Sequence, residues 1–336
     1  MKLWILFVAI LFSVMFVSCG EKSKELPDIS NSTVELKYYN FYKDFPGENP
    51  TVSPDTVLAL FKKYPVFFNL FNRYVIAIGG PENKDFTVLT QAFCSDHMIR
   101  DLYNQCIDVH GDLAGLKMQM NTAFKYYHEY FPTHPVPEVY FYISGLNQSV
   151  VIDSQLLAIG IDKFLGSNNK YYQQLGLPQY QRKRMIPEMM TVDAMMAWAE
   201  SEFPASDSSD NILNSMIYYG KLQYMLEYVL PEMSDSVLFS FSSQQWDWCE
   251  KNEKKMWTWF IENKMLFESN PMEIRRFTAD GPFTTQFSKD SPARTGVWLG
   301  WRIIHKYMSK NSKITLQELM ENEDGQKILR DSGYNP

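Results

Sequence analysis

Histidine and cysteine are scarce in this 336-residue chain, and their scarcity limits the chemistry that it can support. There are five histidines, and none lies between residues 135 and 230. There are four cysteines, and modification of Cys19 would leave Cys94, Cys106 and Cys249. An odd number argues against a complete disulfide framework. Cys94 and Cys106 also fall in one helical pattern, where twelve residues span roughly 18 Å, too far for a disulfide. We therefore predict buried thiols.

Positive charge and long apolar runs are also limited. The net charge is −7, or −8 without Lys2, and no basic stripe with interleaved aromatic residues is present. Nucleic acid is therefore excluded as a predicted partner. After the first run of apolar residues, the sequence contains no second run long enough to span a membrane.

The amino terminus has the pattern of a lipoprotein leader. Lys2 precedes an almost wholly apolar run over residues 3–17, which is shorter than the roughly 20 residues of a spanning helix. Small Ser18 and then Cys19 follow, which resembles a lipobox, although Phe16 stands where leucine is usual. We predict a signal peptide over 1–18 and a lipid on Cys19 that holds the chain on a bacterial inner or outer membrane. The alternative is an ordinary signal peptide with an incidental cysteine.

The remaining sequence divides into a tether and one folded unit. Residues 19–32 are polar and predict a flexible tether, because they have too few apolar groups to offset their ordering entropy. Residues 33–336 contain no linker, and aromatic residues make up 15% of the chain. We predict one globular domain over 33–336, outside the cytoplasm in the cell envelope.

Periodicity predicts an α+β fold, mainly helical with one small antiparallel sheet. Apolar residues alternate over 34–38, and three β-rich runs separated by turn residues follow at 138–143, 149–152 and 156–161. Apolar residues three and four positions apart predict helices. The main predicted helices cover 55–61, 85–106, 113–131, 186–203, 212–230, 243–268, 294–308, 315–322 and 325–331.

The order of these elements is similar to that of zincin-type zinc peptidases. In such enzymes a sheet precedes a helix with His-Glu-x-x-His, and the next helix supplies a glutamate ligand. The corresponding positions are Pro187, Glu188 and Thr191 on one helix and Tyr219 on the next. Zinc needs imidazole, thiolate or carboxylate ligands, and Pro187 and Thr191 supply none of these. We therefore predict no metal, no cofactor and no catalytic residue. Glu188 is expected to be a solvated or salt-bridged surface group, with which Arg182, Lys183 or Arg184 could pair.

Two further groups of residues are candidate contacts. Arg294 lies at a predicted helix start beside glycine and proline, where it could face a cleft and contact an anion or be a plain surface arginine. Trp298 on the same helix could line that cleft or belong to the core. Four tryptophans lie between 246 and 259 and are typical either of a core or of a glycan-binding groove.

Several blocks in one order resemble the GldB-type gliding-motility lipoproteins of the Bacteroidota. They include Ser291-Pro292-Ala293-Arg294-Thr295-Gly296 and Met216-Ile217-Tyr218-Tyr219-Gly220-Lys221, with others at 62–68, 126–132, 158–166, 245–253 and 281–284. The resemblance implies an envelope lipoprotein needed for gliding movement and no known reaction. The family often has glutamate where Tyr219 stands.

Three functions remain as hypotheses. The first is a non-catalytic lipoprotein that binds other envelope proteins of a motility or secretion machine. The second is an atypical zinc peptidase that acts on envelope proteins or peptidoglycan peptides. The third is a glycan-binding module that uses the tryptophans.

Overall fold

The structure is a computed structural model that describes residues 26–205 and 211–336. The predicted signal peptide at 1–18 and Cys19 lie outside these ranges. Within them, the predicted α+β class is confirmed, because helices dominate and the strands form one small sheet.

The sheet has four strands, and its pairing is mixed rather than antiparallel. The strands lie in the order β1-β2-β4-β3. β1 pairs in parallel with β2, β2 pairs in parallel with β4, and only β3 and β4 are antiparallel. The predicted antiparallel sheet is therefore wrong, since the last strand inserts between the two before it. The strands are β1 (Tyr38–Tyr39), β2 (Glu138–Tyr142), β3 (Val150–Asp153) and β4 (Leu156–Gly160).

The two central strands are apolar on both faces, because each face covers a different part of the core. Tyr140 and Ala158 point to an aromatic-rich cluster built by the helices before the sheet. Phe141 and Leu157 point to the main core, which contains the helices after the sheet. Alternate residues of a strand point to opposite faces, so a strand between two cores has no polar side.

The helices before the second strand are interrupted more often than periodicity predicts. The predicted helix over 85–106 is two helices, since Asp96 is extended and its side chain accepts hydrogen bonds from the amides of Met98 and Ile99. An aspartate in this position satisfies amides that the new helix leaves unpaired. Cys94 and Cys106 therefore lie on different helices, and both are buried free thiols, as is Cys249. These helices are α1 (Pro54–Lys63), α2 (Phe67–Leu70), α3 (Phe86–Ser95), α4 (His97–His110) and α5 (Ala114–Tyr130).

The helices after the sheet pack around one that is buried on nearly every side. This central helix, α9, contacts α5, α8, α12, α13 and α15. A helix with apolar residues on every face belongs in the interior of a protein, where its few polar side chains need partners. The helices are α6 (Lys170–Gln174), α7 (Gln179–Arg182), α8 (Met190–Glu202), α9 (Ile212–Val229), α10 (Asp235–Phe239), α11 (Ser243–Glu262), α12 (Pro271–Thr278), α13 (Thr295–Lys310), α14 (Leu316–Glu321) and α15 (Gly325–Ser332).

Three predicted boundaries are wrong. The strand predicted over 34–38 is only the two residues of β1. The helix predicted to begin at 186 begins at Met190, after a short 3₁₀ turn over Pro187–Met189. The helix predicted to reach 268 ends at Glu262, because Lys264 adopts a left-handed conformation. Among the described residues, no helix combines the length and apolar character needed to cross a membrane.

A buried lysine connects α9 to the carboxyl end of α14. Lys221 donates to the carbonyl oxygens of Met320 at 2.9 Å and Asn322 at 2.8 Å. The last carbonyls of a helix have no partner within the helix, so an ammonium group satisfies them. Burial lowers the pKa of Lys221 to about 8, while the charge of Glu323 opposes the shift.

This lysine predicts a specific pH dependence of stability. Between pH 8 and the ordinary lysine pKa of 10.5, the unfolded chain holds a proton on Lys221 that the folded chain has lost. Stability rises with pH wherever the unfolded state binds more protons. The unfolding free energy of the wild type, measured relative to Lys221→Met, is therefore expected to rise from pH 8 to 10.5, by less than about 1.4 kcal/mol per pH unit. Chemical denaturation of both proteins across this range tests the expectation, and a flat or falling difference would contradict it.

Candidate functional site

A two-lobed cleft opens where α8, α9 and the start of α13 meet. One lobe has a volume of about 340 Å³, and it is called the lysine lobe because Lys183 is among the residues that line it. The other has a volume of about 200 Å³ and is lined by Glu200, and is called the glutamate lobe. Arg184, Asp280 and Arg294 line both lobes and form the wall between them.

The wall contains two arginines, each paired with a carboxylate. Arg184 contacts Asp193 at 2.5 Å and donates to the Ser240 hydroxyl at 2.6 Å. Arg294 contacts Asp280 at 3.0 Å and donates to the backbone carbonyl of Phe239. Arginine suits such positions because its planar group donates in several directions at once. The four charges balance, so the character of each lobe depends on its remaining residues.

A hydroxyl network fixes the loop that carries Arg294. The Thr295 hydroxyl donates to the Thr284 hydroxyl at 3.0 Å, and the Thr284 hydroxyl donates to the Pro292 carbonyl at 2.9 Å. The Ser291 hydroxyl lies within the same loop and donates to the Ser288 carbonyl at 2.6 Å. Arg294 itself has a left-handed backbone with φ of 56°. An arginine keeps this uncommon conformation only where surrounding bonds hold it.

Burial changes the acid–base properties of the wall. Burial lowers the pKa of Arg294 to about 10, and the charge of Arg184 adds to this, while Asp280 and Asp193 oppose it. Burial raises the pKa of Asp193, and Arg184 opposes that shift. In both groups the loss of water disfavours the charged form, and the ion pairs compensate only in part.

The glutamate lobe is rich in acceptors that lack partners. Gln223 is 1% exposed, and its Oε1 has no hydrogen-bond partner among the described residues. Glu200 lines one side of the lobe, and burial of its carboxyl raises the pKa of Glu200. The ring of Tyr219 completes the lobe, and Tyr218 packs against it with ring centroids 5.0 Å apart. Burial raises the pKa of Tyr219, and the nearby charge of Glu200 raises it further.

Of the two predicted cleft residues, one lies in the cleft and the other does not. Arg294 lines both lobes and immediately precedes α13. Trp298 is fully buried in the main core, so the core alternative holds for this residue and it does not line the cleft. One helical turn separates them, but the indole packs toward Trp246 and Trp301.

The positions that resemble a zinc peptidase motif do not come together as that motif requires. Pro187 and Glu188 precede α8, and Glu188 is exposed and lines neither lobe. Thr191 is buried and donates to Gln119 at 3.1 Å. Tyr219 alone lies in the cleft. Glu188 is a solvated surface group without an ion pair within the described ranges, and Arg184, one of the basic residues upstream of it, pairs with Asp193.

The histidines are dispersed over the fold. His134 pairs with Glu202 and His305 with Glu227, each at 2.9 Å. His110 contacts the backbone oxygen of Ile161 at 2.9 Å. In residues 26–205 and 211–336, no group of three or more histidine, cysteine, aspartate or glutamate side chains is placed to hold a metal ion.

The tryptophans of α11 pack inward. Trp257 is buried, and Trp246, Trp248 and Trp259 are half-buried against the main core. Their rings contact other core aromatics, such as Phe287 against Trp259 at 5.9 Å between centroids. These contacts favour the core interpretation of the tryptophans over a glycan-binding groove.

Most residues of the cleft were not identified from the sequence. Asp193 and Glu200 lie seven positions apart on α8, and the residues between them are all apolar. Gln223 lies within the buried face of α9. A polar side chain inside an otherwise apolar helix is the signal that could have found them, because burying such a group is costly without a partner.

Comparison with known proteins identifies the family. A family model described as gliding motility protein GldB matches residues 22–336, almost the whole chain. Neither a curated protein nor a solved structure matches significantly. The match covers every element that builds the cleft, including α8, α9 and α13. The chain therefore belongs to the GldB family of gliding motility proteins.

Proposed function

We propose that this protein is a lipid-anchored, non-catalytic component of the bacterial cell envelope that supports gliding motility or an associated secretion machine by binding other envelope proteins. The family match over residues 22–336 is the observation that carries the proposal. The match begins three residues after Cys19, the cysteine of the sequence that resembles a lipobox.

The arrangement of side chains supports binding rather than peptide hydrolysis. Glu188 is the only residue of the peptidase-like positions that could act as a general base, and it lies on the surface before α8 begins. A general base needs a reacting group or an activated water within hydrogen-bond reach. The residues that would hold such a water in a zinc peptidase are proline and threonine here, and Thr191 bonds Gln119 instead.

Substitution of Cys19 tests the anchor. Cys19→Ser removes the thiol that would take the diacylglycerol, so the chain is expected to leave the membrane fraction and to lose incorporation of labelled fatty acid. Ser23→Ala in the tether is the matched control and should remain membrane-bound. The effect on motility is measured in a gliding bacterium from which its own member of the family has been deleted. Each variant is expressed in this strain, and the spreading of its colonies is compared. Membrane association of Cys19→Ser equal to that of the control would contradict the anchor.

Metal content and Glu188 test the absence of catalysis. The purified full-length chain is expected to hold no stoichiometric zinc after mild exposure and dialysis, as measured by elemental analysis. Glu188→Gln is expected to restore motility as well as the wild type does. One tightly held zinc per chain, or loss of motility in Glu188→Gln with normal protein levels, would favour the peptidase hypothesis.

A further inference from the structure

The glutamate lobe contains unused acceptors around an aromatic wall. Gln223 Oε1 is buried without a hydrogen-bond donor, and Glu200 has no ion-pair partner among the residues that the structure describes. An unpaired buried acceptor costs free energy that a donor from a ligand recovers. The lobe therefore favours a ligand that brings several hydrogen-bond donors.

The same lobe favours a positive charge on that ligand. Glu200 is the carboxylate that the wall arginines leave free, since Arg184 pairs with Asp193 and Arg294 with Asp280. Tyr219 supplies an aromatic ring at the lobe, and aromatic faces attract cations. Burial raises the pKa of the Glu200 carboxyl, and a bound cation would offset that cost of ionisation. A primary ammonium has three donors and one charge, which suits one carboxylate and one amide oxygen.

The lysine lobe has the opposite character. The two ion pairs of the wall carry no net charge, so Lys183 is the charged residue that sets the character of the lysine lobe. Lys183 is exposed and has no ion-pair partner within the described ranges. Arg184, Asp280 and Arg294 line both lobes, so a ligand that reaches past these three residues has a cationic end beside Glu200 and an anionic end beside Lys183.

We propose that the cleft binds a peptide that carries a primary ammonium group in the glutamate lobe, held by Glu200, Gln223 Oε1 and the ring of Tyr219, and a carboxylate in the lysine lobe, held by Lys183. The ammonium comes either from a lysine side chain or from a peptide amino terminus. This inference goes beyond the proposed function, since it does not depend on the lipid anchor or on motility.

Calorimetric titration of the full-length chain in detergent micelles tests the site with three small probes. Acetyl-alanyl-lysine offers a side-chain ammonium and a carboxylate. Alanyl-norleucine offers an amino-terminal ammonium and a carboxylate. Acetyl-alanyl-norleucine offers the carboxylate alone. One of the first two is expected to bind at least about tenfold more tightly than the third, because charge-assisted bonds are the stronger ones. The tighter of the two identifies the source of the ammonium.

Variants assign the binding to the proposed residues. Glu200→Gln is expected to weaken the preferred probe about tenfold or more, and Glu200→Asp to weaken it less. Lys183→Gln is expected to weaken binding of the preferred probe, because it removes the cation that faces the probe's carboxylate. Glu232→Gln changes an exposed glutamate that lines neither lobe and should leave binding unchanged. Because Glu200 has no ion-pair partner among the described residues, its substitution is expected to preserve the fold, which thermal unfolding verifies.

The proposal would be overturned by any of three results. The first is that no probe binds at millimolar concentration. The second is that the ammonium probes bind no better than acetyl-alanyl-norleucine. The third is that Glu200→Gln, folded as the wild type, binds the preferred probe as tightly as Glu232→Gln does. Loss of gliding in Cys19→Ser with intact probe binding would separate the anchor from this site.

Discussion

Replacement of Gly300 by alanine is expected to lower the free energy of unfolding by about 3 kcal/mol or more, because an added methyl group would enter the backbone of a neighbouring helix. A Cβ on Gly300 would lie 1.8 Å from the carbonyl oxygen of Met216 on α9. The nearby Gly220 is equally constrained, since its Cβ would lie 2.4 Å from the carbonyl carbon of Gly300. The two buried helices, α9 and α13, therefore touch backbone to backbone and cannot separate without opening the main core.

Gly115→Ala is the matched control for this prediction. Gly115 also lies in a helix, α5, but it is exposed and a Cβ there would meet no atom within 4 Å. Alanine is the better helix former, so Gly115→Ala is expected to stabilise the protein by about 0.5–1 kcal/mol. Urea denaturation measures both variants. A Gly300→Ala protein as stable as the wild type would show that α9 and α13 are not in close contact.

Removal of the Asp193 carboxylate is expected to be the second large effect, with a loss of about 2–3 kcal/mol of unfolding free energy in Asp193→Ala. The side chains of Arg184 and Asp193 are only 21% and 19% exposed, so the guanidinium would keep its desolvation cost after losing its partner. Because the pair is partly accessible, the expected loss is below that of a fully buried pair.

Asp55→Ala separates this effect from a general effect of helix position. Asp55 lies in the first turn of α1, as Asp193 does in α8, and it is exposed. Its removal should cost only the interaction with the helix dipole, about 0.3–1 kcal/mol. Equal losses in the two variants, measured by urea denaturation at the same pH, would contradict a role for the Arg184–Asp193 pair. Asp193→Asn should lose less than Asp193→Ala, since the amide oxygen still accepts from Arg184.

Glycine shows how one residue type supports different interpretations. Gly220 follows Tyr219, the position that corresponds to the glutamate ligand of a zinc peptidase. In the structure, its role is close packing against Gly300. A glycine in a helix permits close approach of another backbone whatever the chemistry nearby. The spacing of Tyr219 and Gly220 therefore does not require a metal ligand.

Patterns of apolar residues predicted helices and strands correctly where the element is determined by residues close together in the sequence. The predicted helix over 212–230 is observed as Ile212–Val229, and that over 113–131 as Ala114–Tyr130. Three β-rich runs became β2, β3 and β4 within a residue or two. Periodicity of apolar residues reports which face of a local segment is buried, and that information is present in the segment itself.

The sequence by itself determined the element types, the buried thiols and the family, because periodicity, composition and ordered motif blocks are all local properties. Only the tertiary structure decided which strands pair and which charged residues meet. Insertion of β4 between β2 and β3 depends on contacts between separate segments. The cleft joins Arg184 to Asp280 and Arg294, about a hundred positions away. A buried charge needs a partner, but the residues around it in the sequence do not identify that partner. The packing of distant helices determines which oppositely charged side chain comes close to it.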